Sequence, residues 1–237
     1  MGISYNNSIV TSGLVLCLDA ANPRSYPGSG TSWLDLSGNG KYGTLTNGPT
    51  FSSDNAGVIN FDGTNDICYT QTPSQMVNAQ NGSIETWVKF TNDTDLSSGN
   101  VQVYIIPCPN SLYVYFYRNA HWASYAMSNF LYYRKASDGG TGYVVPYSAY
   151  YYPNIWYQNV LTWDENGVQK TYQNAIQKRS DTVSDFDYWY APNGSNFNIS
   201  NGFLLEGSLS QLKMYNRTLS ADEVRQNYNA TRGRYGN

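Results

Sequence analysis

Turn signals interrupt this chain at short intervals, and the segments between them have the length of β-strands. Clusters of Gly, Pro, Asn and Ser separate runs such as "GLVLCLDA" (13–20), "GSIETWVKF" (82–90) and "SLYVYFYR" (111–118). The last two alternate with the two-residue period of a strand. The 237 residues suit one large all-β domain, and no linker or internal repeat divides them. We therefore predict a single domain over 1–237, folded as a β-sandwich or jelly roll.

Three segments carry more specific expectations. The stretch 13–20 is apolar on both faces and is expected to be a central strand covered on both sides. The turn-rich stretch that follows it, to residue 51, is expected to be an ordered loop with short strands. "WYQNVLTWDENGVQKTYQNA" (156–175) is predicted to be a hairpin that turns at Asn166-Gly167, a dipeptide typical of hairpins.

One segment has the signature of a helix. In "LSADEVRQNYNAT" (219–231), Ser220 is a good N-cap and Glu223 lies at the third helical position, which forms a capping box. Leu219 and Val224 flank the cap as a hydrophobic staple, and Tyr228 shares the face of Val224. We predict a short C-terminal helix that packs across the end of the sandwich.

The bulk composition argues against several classes of function. Charged residues are only 13% of the chain and the formal net charge is −3, so we expect no nucleic-acid partner. The segment "MGISYNNSIV" has no features of a signal peptide, and no apolar run has the length of a membrane helix. Three cysteines with no close pair predict buried free thiols at Cys17, Cys68 and Cys108.

Much of the chain resembles a known family of domains. The resemblance is to the laminin-G-like, concanavalin A-like lectin/glucanase jelly-roll domains, in the version found in virion proteins of tailed bacteriophages. It rests on "GLVLCLDAANPRSYPGSGTSWLDLSGNGKYGTLTNGPTF", "GVINFDGTND", "GSIETWVKF" and "LSQLKMYNRTLSADEVRQNYNATRGRYG". It implies an all-β fold of two antiparallel sheets and a frequent role in binding glycans or proteins at surfaces. Ala175 stands where that family usually has glycine, which leaves the type of the local turn open.

Related folds include β-glucanases, so a pair of catalytic carboxylates is the feature that would indicate an enzyme. Glycoside hydrolysis needs two carboxyl groups about 5–9.5 Å apart. On one jelly-roll strand that requirement gives a Glu-x-Asp-x-Glu pattern, which none of the four glutamates matches. Asp185 and Asp187 share a strand face, but no glutamate follows them. His121 is the single histidine and has no nucleophile motif beside it. We predict a protein that is not an enzyme.

The segment "FDGTND" offers the best candidate metal ligands. Asp62, Asn65 and Asp66 supply the carboxylate and carbonyl oxygens that calcium prefers. The alternative interpretation is a tight turn stabilised by the aspartate side chain. We favour the turn and expect that no cofactor is required, with calcium as the metal that these residues could hold.

The unusual residue is tyrosine, which occurs 23 times, thirteen of them between 101 and 160. Residues 101–157 therefore form an aromatic-rich elaboration of the domain. On the strand 111–118, Leu112, Val114 and Phe116 alternate with three tyrosines. The tyrosine row could fill a thick core, contact a protein, or stack on sugars, since tyrosine combines a rigid apolar ring with a polar tip. The predicted glycan- or partner-binding residues are Tyr113, Tyr115, Tyr117, His121, Trp122, Tyr150, Tyr151 and Tyr152.

These observations lead to one functional expectation and one alternative. The resemblance implies a non-enzymatic structural protein at the surface of a phage virion, assembled in the host cytoplasm, as a capsid decoration, fibre or tail component. Its expected partners are copies of itself, other virion proteins, or glycans of the host surface, without nucleic acid or membrane. The alternative is a carbohydrate-binding lectin module; a glycoside hydrolase is opposed by the missing carboxylate pair.

Overall fold

The computed structural model describes residues 8–73, 81–91, 102–108, 112–118, 126–133, 149–150, 152–182, 196–199 and 205–237. For 71–73, 102–108, 112–118, 126–133, 149–150 and 196–197 the description is limited to the backbone. The strands are β1 (Leu14–Asp19), β2 (Ser32–Leu34), β3 (Tyr42–Thr46), β4 (Thr50–Ser52), β5 (Val58–Asp62), β6 (Ile67–Pro73), β7 (Gly82–Phe90), β8 (Gln102–Cys108), β9 (Leu112–Arg118), β10 (Ala126–Tyr133), β11 (Ala149–Tyr150), β12 (Trp156–Trp163), β13 (Val168–Gln173), β14 (Ile176–Thr182), β15 (Asn196–Ile199) and β16 (Glu206–Tyr215). The α-helix is α1 (Ala221–Thr231).

The described strands pair, all antiparallel, into three sheets that form a two-layer sandwich. Sheet one has the order β14-β13-β12-β7-β16-β5-β4, and β1 pairs with β16 beyond β5. Sheet two has the order β15-β6-β3-β2, and sheet three has the order β11-β10-β9-β8. Strands β15 and β8 lie next to each other, so that sheets two and three continue one another edge to edge. The predicted all-β sandwich of antiparallel strands is thereby confirmed, and the described residues include the predicted short C-terminal helix.

Sheets one and two pack face to face through one apolar core. Every second residue of a central strand points into it, as the alternation in "GSIETWVKF" predicts. The buried core residues of the two sheets include Ile84, Val88, Leu212, Trp33, Leu45 and Cys68. Within the described part of the chain, no helix has the length and apolar character needed to cross a bilayer.

Strand β1 is buried on both faces, as predicted, but it is not a central strand. In the described ranges it pairs with β16 alone, and its other edge is covered by the turn-rich loop. The Cys17 N–H donates to Asp35 Oδ1 at 2.8 Å, and the Leu36 N–H donates to the Cys17 carbonyl at 2.8 Å. The loop therefore satisfies the backbone groups that an exposed strand edge would leave free.

Helix α1 begins with the predicted capping box but lies in a different place from the one expected. The Glu223 N–H donates to Ser220 Oγ, and Glu223 Oε2 accepts from the Ser220 N–H. Arg217 bonds the same carboxylate and holds the pKa of Glu223 at about 2. The helix covers the outer face of sheet one instead of crossing the end of the sandwich, because Val224 packs there against Val160.

An ion pair is buried between helix α1 and the outer face of sheet one. Lys213 of β16 lies directly opposite Glu85 of β7, and Lys213 Nζ is 3.0 Å from Glu85 Oε1. The two side chains are 1% and 0% exposed. Gln158 donates to the same carboxylate at 3.0 Å, and Asn227 of the helix donates to its other oxygen at 2.6 Å. Each charge is therefore both paired and hydrogen-bonded, which buried charges require.

The network continues from the ion pair along the outer face of sheet one to β1. Lys213 Nζ also donates to Gln211 Oε1 at 2.8 Å, and Gln211 in turn donates to Asp19 on β1. Asp19 accepts two bonds from Arg234 Nη1 and one from Nη2, each at 2.8–2.9 Å. A belt of polar side chains thus ties β1, β16, β7 and β12 to the helix and to the segment after it.

We expect the ion pair to be strongly coupled. Lys213→Met would leave a buried carboxylate without its cation, so the free energy of unfolding should fall by about 3–5 kcal/mol. The cost of Lys213→Met combined with Glu85→Gln should be smaller than the sum of the two single costs. Urea unfolding of the four proteins at pH 7 measures this coupling.

The matched control is Arg225→Ala, which removes a surface ion pair with Asp222. The Arg225 side chain is 64% exposed and that of Asp222 is 82% exposed. That change should leave the unfolding midpoint within experimental error. Additive costs for the two buried substitutions would contradict the coupling.

The two turns after β12 and β13 use different chemistry. In "DENG", Gly167 has a φ of +74°, and Asp164 Oδ1 accepts from the Asn166 and Val168 N–H groups. The hairpin is confirmed, but Asn166 has no positive φ, so the turn differs from the two-residue type that the dipeptide predicted. The next turn does have that type, since Asn174 and Ala175 have φ values of 50° and 60°. The turn keeps its left-handed geometry although alanine replaces the usual glycine.

We expect Ala175→Gly to stabilise the protein by about 1 kcal/mol, because a Cβ disfavours the left-handed conformation that the turn imposes. Urea unfolding should show a higher midpoint with an unchanged slope. Ala230→Gly in the last turn of α1 is the control and should lower stability, since glycine weakens helices. A lower midpoint for Ala175→Gly would contradict strain at this turn.

Candidate binding surface

Sheet three places most of the predicted tyrosines on one face of one sheet. Positions paired across an antiparallel ladder share a face. In the β9–β10 register, Tyr113 lies opposite Tyr132, Tyr115 opposite Phe130, and Tyr117 opposite Ser128. Two residues before Ser128, Ala126 pairs with Tyr150 of β11. The resulting tyrosine face consists of Tyr113, Tyr115, Tyr117, Phe130, Tyr132 and Tyr150.

The chain passes from this face to an exposed loop, 152–155, that leads into β12. Tyr152 is 55% exposed and Ile155 is 45% exposed. The Tyr152 N–H donates to the phenol oxygen of Tyr157 at 2.9 Å, and the Asn154 N–H donates to the Phe90 carbonyl at 2.7 Å. Since Tyr157 and Phe90 belong to the buried core, the loop is attached to a rigid support.

The base of this loop is fixed by Trp156, which is buried. Its indole N–H donates to Asn55 Oδ1 at 2.9 Å, and its ring lies 5.0 Å from that of Tyr235. Lys89 Nζ lies 5.4 Å from the same ring, on the side of helix α1. A loop held at both ends can present Tyr152 to a ligand without losing much conformational entropy.

The structure locates five of the eight residues that the sequence predicts to bind a glycan or a partner. The backbone register locates Tyr113, Tyr115, Tyr117 and Tyr150, and the structure locates Tyr152 with its side chain. His121, Trp122 and Tyr151 lie outside the described residues, as does the Asp185–Asp187 pair. Sequence reasoning missed Ile155, because a single aliphatic residue in a Pro-Asn turn gives no sign of its exposure.

The predicted calcium ligands form the turn between β5 and β6. Asp62 Oδ1 accepts from the Thr64 N–H at 2.8 Å, and Asp66 Oδ2 accepts from the Asp62 N–H at 3.0 Å. Burial raises the pKa of the Asp66 carboxyl. Across the described ranges, no group of three His, Cys, Asp or Glu side chains is arranged to hold a metal. The favoured turn interpretation agrees with these contacts, and calcium at Asp62, Asn65 and Asp66 stays a prediction.

The positions of the four glutamates show which of them are engaged in structural bonds. Glu85 is committed to the buried ion pair and Glu223 to the helix cap. Glu165 lies in the exposed "DENG" turn, and Glu206 pairs across strands with Asp62. The two thiols whose side chains are described are buried and free, and burial raises the pKa of Cys17 to about 11 and of Cys68 to about 12. Thiols held protonated in this way are unsuited to nucleophilic chemistry.

More than half of the chain matches a known family of domains. A model of the concanavalin A-like lectin/glucanases superfamily matches residues 61–225. The chain belongs to that superfamily. A search of curated proteins found no match.

Several solved structures share the fold at low sequence identity. Domain 4 of AbnA, a GH43 extracellular arabinanase from Geobacillus stearothermophilus solved with arabinotriose, has a TM-score of 0.68 and 17% identity over 92% of this chain and 98% of that one. The botulinum neurotoxin serotype D binding domain has a TM-score of 0.69 and 14% identity over 93% of this chain and 51% of that one. The binding domain of Paraclostridial Mosquitocidal Protein 1 has a TM-score of 0.67 and 17% identity, with 92% and 52% covered. This chain thus spans about half of each toxin binding domain.

Proposed function

We propose that the chain is a non-catalytic binding domain that contacts glycans on a surface through the tyrosine face and the loop 152–155. The observation that carries this proposal is the exposure of Tyr152 on a loop attached to the core, two residues after Tyr150 of the tyrosine face. Aromatic rings on a rigid support are typical of sites that stack on sugars or anchor a partner.

The sequence resemblance gives this domain a proposed setting in a phage particle. There it would act as a capsid decoration, a fibre or a tail component at the virion surface, assembled in the host cytoplasm. Structural neighbours that include a domain solved with arabinotriose and toxin binding domains support surface contact as its role. The commitment of Glu85 and Glu223 to structural bonds supports a domain that is not an enzyme.

A second candidate function is assembly, in which the same face joins copies of the chain or other virion proteins. The near-absence of charge from the strands of sheet three favours it, because the centres of protein interfaces are depleted in charge and enriched in tyrosine. Light scattering of the purified protein separates the two cases, since assembly predicts a defined oligomer.

We expect Tyr115→Ala to abolish binding on a glycan array while the circular dichroism spectrum and Tm stay those of the wild type. The array is run with calcium and with a chelator, and binding that needs calcium would make the Asp62–Asp66 turn a metal site. A folded, monomeric protein with a blank array would contradict the proposal. An unfolded Tyr115→Ala variant would place Tyr115 in the core and contradict the tyrosine face as the binding surface.

A further inference from the structure

We propose that Lys213 and Asn227 form an isopeptide bond, an amide bond between their side chains, with Glu85 as the catalytic residue. Three side chains at the centre of the buried polar network carry this inference: a primary amine, a carboxylate and a primary amide. They supply the nucleophile, the general base and the carbonyl carbon that formation of an amide bond needs. Such a bond forms within the domain and is independent of any ligand.

One carboxylate brings the amine and the amide together. Lys213 Nζ donates to Glu85 Oε1 at 3.0 Å, and Asn227 Nδ2 donates to Glu85 Oε2 at 2.6 Å. The orientation of the Asn227 amide is fixed by its partners, because an ionised carboxylate can only accept and the Val10 N–H can only donate. Asn227 therefore presents its nitrogen to Glu85 and its oxygen to Val10.

The carbonyl group of the Asn227 side chain is polarised in the direction that the reaction requires. The Val10 N–H donates to Asn227 Oδ1 at 2.7 Å. A backbone N–H in this place stabilises the negative charge that develops on the oxygen when an amine adds to the carbon. The phenol oxygen of Tyr215 accepts from Nδ2 at 2.9 Å and helps to hold the leaving nitrogen in position.

All three reacting side chains are buried, and Tyr215 and Val224 beside them are buried as well. Burial deprives the ammonium and the carboxylate of solvation, so it brings their neutral forms within reach by transfer of one proton. Only the neutral amine has a lone pair that can attack a carbonyl carbon. The exclusion of water also protects the amide from hydrolysis.

The reaction balances without any further reagent. Lys213 gives one proton to Glu85, and the neutral Nζ then attacks Asn227 Cγ. Glu85 passes that proton to Nδ2, the carbonyl re-forms, the Cγ–Nδ2 bond breaks, and ammonia leaves. Nζ gives up a second proton, which the ammonia carries away as ammonium, and Glu85 is again a carboxylate. No atom is oxidised or reduced, and helix α1 is joined covalently to β16.

Two other amides belong to the same network but are placed less well for attack. Gln158 also donates to Glu85 Oε1, but β7 lies between its strand and that of Lys213. Gln211 accepts from Lys213 through its carbonyl oxygen, and its nitrogen donates to Asp19 instead of Glu85. Asn227 is therefore the expected partner of Lys213.

The test is the mass of the whole purified wild-type chain, followed by peptide mapping. We expect most chains, denatured before the measurement, to weigh less than the sequence mass by one ammonia molecule. Trypsin should not cleave after Lys213, and the peptide that contains this lysine should be joined to peptide 226–232, which contains Asn227. The measurement uses the wild type, so it does not depend on the folding of a variant.

Three variants test the roles of the side chains. Asn227→Ala and Glu85→Gln should each keep the full sequence mass, with circular dichroism used to confirm that they are folded. The matched control is Asn229→Ala, which removes an exposed asparagine from the same helix and the same tryptic peptide and should keep the bond. Loss of Lys213 or of Glu85 prevents the bond equally, so their costs in unfolding remain non-additive.

Several results would overturn the bond or the role of Glu85. A wild-type chain of full mass excludes the bond, and so does a loss of ammonia that maps to an Asn-Gly sequence, where asparagine can cyclise onto its own backbone. A bond from Lys213 to Gln158, Gln211 or Asn229 excludes Asn227 as the partner. A bond that survives Glu85→Gln excludes Glu85 as the catalytic residue. The glycan array tests the proposed function separately from all of these results.

Discussion

The buried pair of Glu85 and Lys213 decides how the outer face of sheet one must be covered. Two adjacent strands place opposite charges directly across from each other. Burial removes both charges from water, and this loss of solvation is offset only if their hydrogen bonds are formed within the protein. Asn227 of the helix forms one of those bonds, and Gln158 of the neighbouring strand forms another. The helix is therefore held in one position by a polar contact that an apolar face alone would not specify.

The same network explains why the C-terminal segment behaves as part of the sandwich. Arg234 reaches back to Asp19, and Tyr235 lies on the ring of Trp87 with a centroid distance of 4.0 Å. Val10 near the other end of the described chain donates its N–H to Asn227 at 2.7 Å. Elements far apart in the sequence thus converge on one helix, and the face of sheet one opposite to the core becomes a second interior.

Local patterns in the sequence were sufficient for much of the fold. The alternation in 82–90, the capping box at Ser220 and Glu223, and the turn signals depend on neighbouring residues, so they can be recognised without knowing the tertiary structure. The edge position of β1 and the position of the helix could not be predicted, because both depend on partners more than 100 residues away. A run that is apolar on both faces is equally consistent with a central strand and with an edge strand covered by a loop.

Some features of the candidate site could likewise be predicted from local sequence, and others could not. A row of tyrosines at alternate positions is visible in the sequence, and the register then adds Phe130, Tyr132 and Tyr150 to it. The exposure of Tyr152 and Ile155 depends instead on two backbone bonds to core residues, which have no local signature. Aspartates in a "DGTND" turn are ambiguous by nature, because an oxygen that accepts from a backbone N–H is also an oxygen that can bind a cation.

The pairing of β1 with β16 has a consequence for how the chain folds. Leu14 lies opposite Tyr215, so a strand near the start of the described chain meets its partner only after most of the sequence has been synthesised. Closing a loop of that length costs conformational entropy before the contacts between its ends stabilise the chain. Proteins dominated by contacts between distant residues therefore fold slowly. Until β16 and α1 are present, Glu85 lacks both its cation, Lys213, and the amide of Asn227. Strand β16 and helix α1, which follow the other strands in the sequence, thus complete the sandwich and its buried polar network.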